Sequence, residues 1–336
     1  MRLVLELSGE HPELARAEAL AILDVLGGGT EAERDALAIL VDVADDLDAK
    51  AIADRAGLLH AVSAHWYTAA ATPRAILPPL AQVNLEGARF AVRGTRMLGL
   101  HPELPLEDTA RSAGAVLAET GVVDLGSPDV EVRIVLGEHA HVGALVKRVD
   151  RKPFDARAVR HRPFFSPVSL HPRHVRALVN LARVKPGDLV YDPFSGTGGM
   201  LLEAALVGAR IVASDVDARM VEGTRITLAH FGLAADATYV AADVGRMREV
   251  APRVDAIVTD PPFGRAASLQ REPIEDLYER FFAGAADVLA PGGRVAATYP
   301  SEALARVGER HLDLELLHPW RVHKSLTRWF AVHRKA

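Results

Sequence analysis

The sequence predicts an α/β fold: a Rossmann-like, seven-stranded and mostly parallel sheet in the C-terminal half, preceded by an α+β N-terminal region. Three observations predict it. From Asp188 onward, short apolar runs alternate with helical stretches, the pattern of a parallel sheet covered by helices. The final two runs, Leu312–Leu317 and Thr327–His333, have no long helix between them, so they read as an antiparallel hairpin at the end of the sheet. The charge also changes sign along the chain: residues 1–150 hold 13 Lys and Arg against 23 Asp and Glu, and residues 151–336 hold 26 against 21.

In the N-terminal region, period-2 and helical patterns give a strand at Arg2–Leu7 and a helix with apolar positions at Leu14, Ala17, Ala21 and Leu26. A strand at Ala36–Val43, a helix at Asp48–Ala56 and a strand at Leu58–Ala64 follow. Proline and small residues in Thr72–Pro79 read as punctuation between two α+β modules, 1–70 and 71–150. The second module opens with the strand Ala88–Arg93, has a helix near Pro105–Thr120, and ends with strands Val130–Leu136 and Ala140–Val149. Lys147 to Lys185 holds eleven basic residues opposed only by Asp150 and Asp155, so 151–184 reads as a basic linker. The α/β domain spans 185–336, with strands at Leu189–Tyr191, Arg210–Ser214, Thr238–Ala241, Ala256–Thr259 and Gly293–Thr298. Five α/β units closed by a hairpin is the layout of class I methyltransferases.

Composition excludes several chemistries. The 336 residues contain no cysteine, which removes disulfides, thiolate metal sites and thiol nucleophiles, and with them cysteine-dependent pyrimidine C5 methylation and thiolation. No metal site is expected. No apolar run approaches the roughly 18 residues a membrane span needs, and the alternating start lacks a signal-peptide core, so a cytoplasmic protein is expected.

A glycine-rich turn, Asp192-Pro193-Phe194-Ser195-Gly196-Thr197-Gly198-Gly199, falls where the first α/β strand meets a helix at Met200–Val207. Its glycines let the backbone approach a ligand closely. A dinucleotide-binding turn needs a third glycine where Leu201 stands, and the preceding aspartate suits a cofactor with a cationic amino-acid end. The second strand leads into Asp215-Val216-Asp217, where Asp215 can accept hydrogen bonds from both ribose hydroxyls and Asp217 reads as a helix cap. After the third strand, Asp243-Val244 offers an acceptor for an adenine amino group. Acids at three successive strand ends match where open α/β sheets bind ligands.

The fourth strand runs into Thr259-Asp260-Pro261-Pro262-Phe263-Gly264. The two prolines fix the backbone so that the Asp260 carboxylate and the Pro261 carbonyl can face one point beside the flat ring of Phe263. An aromatic amine is a poor nucleophile because its lone pair is delocalised. Two acceptors holding its N–H bonds localise that pair and aim it at a methyl sulfonium, while an aromatic ring stacks on an extruded base. The expected activity is transfer of a methyl group from S-adenosylmethionine to an exocyclic base amine.

With these motifs, Arg162-Pro163-Phe164-Phe165-Ser166-Pro167, Leu170-His171-Pro172-Arg173 and Ala177–Ala182 resemble the archaeal tRNA guanine-N2-methyltransferases that act on guanosine-10. Phe90-Ala91-Val92-Arg93 and Pro128–Arg133 resemble the THUMP RNA-binding domain of that family. The resemblance implies a small ferredoxin-like domain over 1–70, a THUMP domain over 71–150, and a methyltransferase domain over 185–336. It implies that Asp192, Gly196 and Gly198 line the cofactor pocket, with Pro193, Phe194 and Thr197 in the same loop. It also gives the ribose to Asp215, the adenine to Asp243 and the target amine to Asp260. The implied partner is tRNA, bound by a monomer through Arg89, Arg93 and Arg96 and, in the basic run, Arg157, Arg160 and Arg162. A small activating subunit is left open. One departure is Phe263 where the family usually has tyrosine. The alternatives are an amino-methyltransferase acting on DNA adenine or cytosine, and a non-catalytic RNA-binding relative.

Overall fold

The computed structural model describes residues 1–165, 169–234, 236–263, 272–323 and 326–336. Ser166, Pro167 and Gly264 of the motifs above lie outside the described residues. The chain divides into two units, one comprising Met1–Asp54 and Leu58–Asp150, the other Arg55–Gly57 and Arg151–Ala336.

The first unit is built on one eight-stranded sheet. Its strands are β1 (Arg2–Leu7), β2 (Thr30–Asp35), β3 (Ala38–Asp42), β4 (Leu59–Ala70), β5 (Arg89–Arg96), β6 (Val122–Val123), β7 (Val130–Leu136) and β8 (His139–Arg148), in the order β2-β3-β1-β4-β8-β7-β5-β6. The two expected α+β modules thus contribute to a single sheet. The join is β4, which runs on past Ala64 to Ala70 and pairs with β8 from Ala61↔Arg148 to Ala70↔His139. Gly143 permits that join, because a Cβ there would sit 1.8 Å from the Ala64 carbonyl oxygen.

Two local differences from the sequence expectation have physical causes. β2 pairs antiparallel with β3 as an edge strand made of TEAERD, whose charged alternation carries little apolar signal. The segment expected as punctuation instead forms a helix at Pro73–Leu80. Pro73 occupies the first turn, where no N–H is needed, and Pro78 and Pro79 fall at the far end.

The second unit contains, among the described residues, a seven-stranded sheet. Its strands are β9 (Leu189–Asp192), β10 (Arg210–Asp215), β11 (Ala237–Ala241), β12 (Val254–Thr259), β13 (Leu289–Tyr299), β14 (Asp313–His323) and β15 (Leu326–Arg334), ordered β11-β10-β9-β12-β13-β15-β14. β9 to β13 run parallel, and β15 is antiparallel to both β13 and β14. This is the class I methyltransferase arrangement with its closing hairpin. The chain winds outward from β9 through β10 to β11, then returns to start β12 on the other side of β9. That reversal opens a crevice at the carboxyl ends of β9 and β12. The core beneath it packs Tyr191, Ile257, Val295 and Tyr299 of the sheet against Tyr278, Phe281, Phe282 and Val288 of the helix Ile274–Val288.

The described residues of the basic segment 151–184 belong to this second unit. The segment carries helices Lys152–Ala156 and Pro172–Leu181, and every residue of the latter except Arg173 is buried. Among the described residues, no helix is long and apolar enough to cross a membrane, and no cluster of His, Cys, Asp or Glu could hold a metal ion.

Candidate active site

Four aspartates stand at the carboxyl ends of four parallel strands, in keeping with the sequence reading. Asp192 ends β9 and is 1% exposed. Its Oδ1 accepts hydrogen bonds from the Thr259 hydroxyl at 2.5 Å and from the Phe194 amide at 3.0 Å. The Thr259 bond ties β9 to β12 across the switch point. Burial pushes the Asp192 carboxyl up to about 7, against the pull of those two donors.

The loop after Asp192 turns through Gly196 (φ 50°) and Gly198 (φ 79°) into the helix Gly199–Leu206. Gly198 is required twice over: its φ is left-handed, and a Cβ would come within 3.1 Å of the Thr224 backbone. Asp215 ends β10 and locks this loop by accepting from the Gly196 amide at 3.1 Å, while its other oxygen accepts from the Asp217 amide at 3.0 Å. Burial raises the Asp215 carboxyl above the usual range. Asp217 caps the helix Ala218–His230, as the sequence suggested. In the same loop Pro193 and Thr197 are buried, and Phe194 packs edge-on against Phe281 with centroids 5.5 Å apart.

Asp243 follows β11 and is less available than the sequence implied. Arg280 donates to both of its oxygens, at 2.5 and 3.3 Å, and the Gly245 amide donates to Oδ1 at 2.8 Å. The hydrogen bonds from Arg280 hold its carboxyl below the usual range. Val216 is exposed at the β10 end, whereas the Val244 side chain is buried in the core, so only its backbone can face a ligand.

Asp260 sits directly after β12, level with Thr298 because Thr259 registers with Ala297 of β13. Its side chain is 23% exposed. The Thr298 hydroxyl donates to Oδ1, and one Arg328 nitrogen lies 3.1 Å from Oδ1 and 3.0 Å from Oδ2. Burial raises the carboxyl, and the charge of Arg328 pulls it back. The Arg328 guanidinium also lies over the Phe263 ring, 4.7 Å from its centroid. Tyr278 donates to the Pro262 carbonyl at 3.2 Å. The Pro261 carbonyl accepts no hydrogen bond among the described residues.

Residues 159–329 match the family model described as an RMKL-like methyltransferase domain. Over 98% of this chain and 98% of its own length, the tRNA (guanine(10)-N2)-dimethyltransferase of Methanothermobacter thermautotrophicus is 36% identical. The enzyme of the same name from Pyrococcus abyssi is 32% identical over 97% of this chain and 98% of its own. The chain belongs to this tRNA guanine-N2-methyltransferase family. The crystal structure of TrmN from Thermus thermophilus aligns over the whole of both chains with a TM-score of 0.56 and 26% identity. Membership makes the chain an enzyme of the methyltransferase class, and the DNA alternative is not favoured.

The arginines expected to meet tRNA fare unequally. Arg157 and Arg162 are corrected. Arg157 is turned inward onto buried Glu203, with Nε–Oε1 at 2.8 Å, and Arg176 reaches the same carboxylate at 2.7 Å. Arg162 is 4% exposed and donates through Nε to the Arg157 carbonyl. Arg162 is closed off from a surface phosphate, and Arg157, with 12% of its side chain exposed, is committed to Glu203, so folding uses both to cover the helix that follows the glycine loop. Arg160 remains exposed, against His161. In the first unit Arg89 is exposed but paired with Asp129 and Asp124. Arg93 donates to the Leu125 carbonyl, and Arg96 is committed to the carbonyls of Leu100, His101 and Leu104.

Thr259, Thr298, Arg280 and Arg328 are the side-chain partners of three of the four aspartates, Asp192, Asp260 and Asp243, and motif reading missed all of them as site residues. Thr259 adjoins the Asp-Pro-Pro string and was within reach. The other three come from elements 37 to 68 residues away in sequence from their partners.

Proposed function

We propose that the enzyme transfers methyl groups from S-adenosylmethionine to the N2 amine of guanosine-10 in tRNA, ending in the dimethylated base. One observation carries this reading: the partly exposed Asp260 carboxylate, at the end of β12 beside the switch point, is followed by a Pro261 carbonyl that accepts no hydrogen bond among the described residues and by the half-buried Phe263 ring. The names of the two full-length relatives supply the position and the product.

The residues present fit the cofactor. Gly196 and Gly198 bend the loop so that its backbone and the N-terminus of the following helix line the crevice. Asp192 faces the cationic amino-acid end, and Asp215 stands where a ribose lies in such sheets. Pro193, Phe194 and Thr197 shape the loop, and Val216, Asp243 and Val244 border the adenine. Asp243 offers that ring only the acceptor capacity Arg280 leaves. When bound, the cofactor supplies an electrophilic methyl group on sulfonium sulfur.

Asp260 and the Pro261 carbonyl hold the two N–H bonds of the guanine amine, which turns its lone pair toward the methyl group. Asp260 also stabilises the positive charge that grows on nitrogen. Phe263 stacks on the base; it keeps the apolar face of a tyrosine and lacks only the hydroxyl. Among the arginines, Arg160, Arg89 and Arg93 are the exposed candidates for tRNA phosphates, and the enzyme is proposed to act as a monomer.

Incubation of the purified enzyme with labelled cofactor and either tRNA or duplex DNA tests the substrate. Label is expected in tRNA, and preference for DNA would overturn the reading.

Cofactor binding carries a pH dependence through Asp192. A carboxyl near 7 is largely protonated at pH 6, and a cationic ligand stabilises its ionised form. Binding therefore releases a proton below about pH 7 and none well above it, and affinity falls as pH drops, by at most about tenfold per unit. Calorimetry at about pH 6 in buffers of different ionisation enthalpy should show the release. Identical heats across those buffers would show that Asp192 does not face the cation.

A further inference from the structure

We propose that Arg328 is a positioning residue for methyl transfer, joining the amine-holding carboxylate of Asp260 and the stacking ring of Phe263 into one rigid unit from the buried side. The inference rests on the reading of Asp260 above.

The sheet order makes the contact possible. β15 neighbours β13, which neighbours β12, so a side chain on β15 can reach across one strand to the end of β12. Arg328 does so while only 5% exposed. Asp260 keeps 23% of its side-chain surface open, and Phe263 is half-buried. The guanidinium therefore lies on the protein side of both groups and leaves an open side for a base. One planar cation satisfies two geometric demands: it bridges both carboxylate oxygens at 3.1 and 3.0 Å and stacks 4.7 Å over the ring centroid.

The arrangement also answers an electrostatic problem. Asp260 is desolvated, and its charge in turn raises the Asp192 carboxyl at the end of β9 and the Tyr278 phenol on the helix Ile274–Val288. Facing Asp260 from β13, Thr298 contributes a neutral hydroxyl. Among the described residues, the positive charge acting on it is that of Arg328. A protonated Asp260 loses the negative charge that holds the amine most strongly and that stabilises the charge growing on nitrogen. Lysine at this position would keep the charge but neither bridge the carboxylate nor stack as a plane.

Single-turnover methylation of tRNA across about pH 5 to 9 by Arg328→Gln, Arg328→Lys and Asp260→Asn, with melting temperatures, tests this. In Arg328→Gln the rate constant is expected to fall about tenfold or more, and the acid limb of the profile to move to higher pH. Arg328→Lys should return the acid limb to its wild-type position yet stay at least about fivefold slow at the plateau. An unmoved acid limb in Arg328→Gln, or a wild-type plateau in Arg328→Lys, overturns the proposal. If Arg328→Gln does not fold, the Arg328→Lys plateau decides alone. Asp260→Asn separates the two readings: activity there sinks the Asp260 assignment, whereas a dead Asp260→Asn beside a normal Arg328→Gln sinks only the role of Arg328.

Discussion

Replacing Asp260 with asparagine is expected to slow methyl transfer by about 10²–10³-fold while leaving cofactor affinity within a few-fold of wild type. The substitution keeps the shape of the side chain and one oxygen. It removes the negative charge, replaces one acceptor oxygen with an NH2 donor, and with the charge goes the proposed stabilisation of charge developing on nitrogen. Cofactor contacts are assigned to the ends of β9, β10 and β11, so they should survive. Asparagine is a cleaner probe than alanine. Asp260→Ala would also abolish transfer, but it strips the buried Arg328 of its carboxylate and so adds a folding defect. Turnover near the wild-type rate in Asp260→Asn would remove the carboxylate from the mechanism.

The second large effect is on stability. Glu203 is fully buried on the helix after the glycine loop, and its carboxylate is shared by Arg157 and Arg176. Both arginines also lie over the Phe154 ring, at 5.0 and 5.6 Å from its centroid. Glu203→Ala removes the carboxylate that these two nearly buried cations share. A loss of about 3–5 kcal/mol is expected, read as a lower denaturant midpoint for the second unit. A loss below about 1 kcal/mol would mean that water or a rearranged partner takes the place of the carboxylate.

Much of the fold was legible because its strands are apolar runs with clear ends. β1 and β7 begin and stop where their alternation does, and the absence of a helix between β14 and β15 announced the hairpin. β2 was not legible. An edge strand written TEAERD protects itself from association with charge, and the same charge erases the period-2 signal. Nor could the single sheet of the first unit be read, since pairing β4 with β8, from Ala61↔Arg148 to Ala70↔His139, joins residues far apart in sequence and depends on one close approach at Gly143.

At the site, the aspartates were legible because each follows directly on an apolar run, and a parallel sheet puts such positions at one edge. Their partners were not. Arg328 and Thr298 reach Asp260 through sheet neighbours, a relationship that exists only after the strands are ordered. The basic run misled for a related reason: counting charge does not show which arginines point outward, and Arg157 and Arg162 serve the interior.

The most direct test of the account is to digest tRNA treated with the purified enzyme and S-adenosylmethionine and to map methylated nucleosides by mass spectrometry. The account predicts N2-methylguanosine and N2,N2-dimethylguanosine at position 10, absent from tRNA treated with Asp260→Asn. Methylation confined to another atom, such as adenine N6 or a ring carbon, would contradict it.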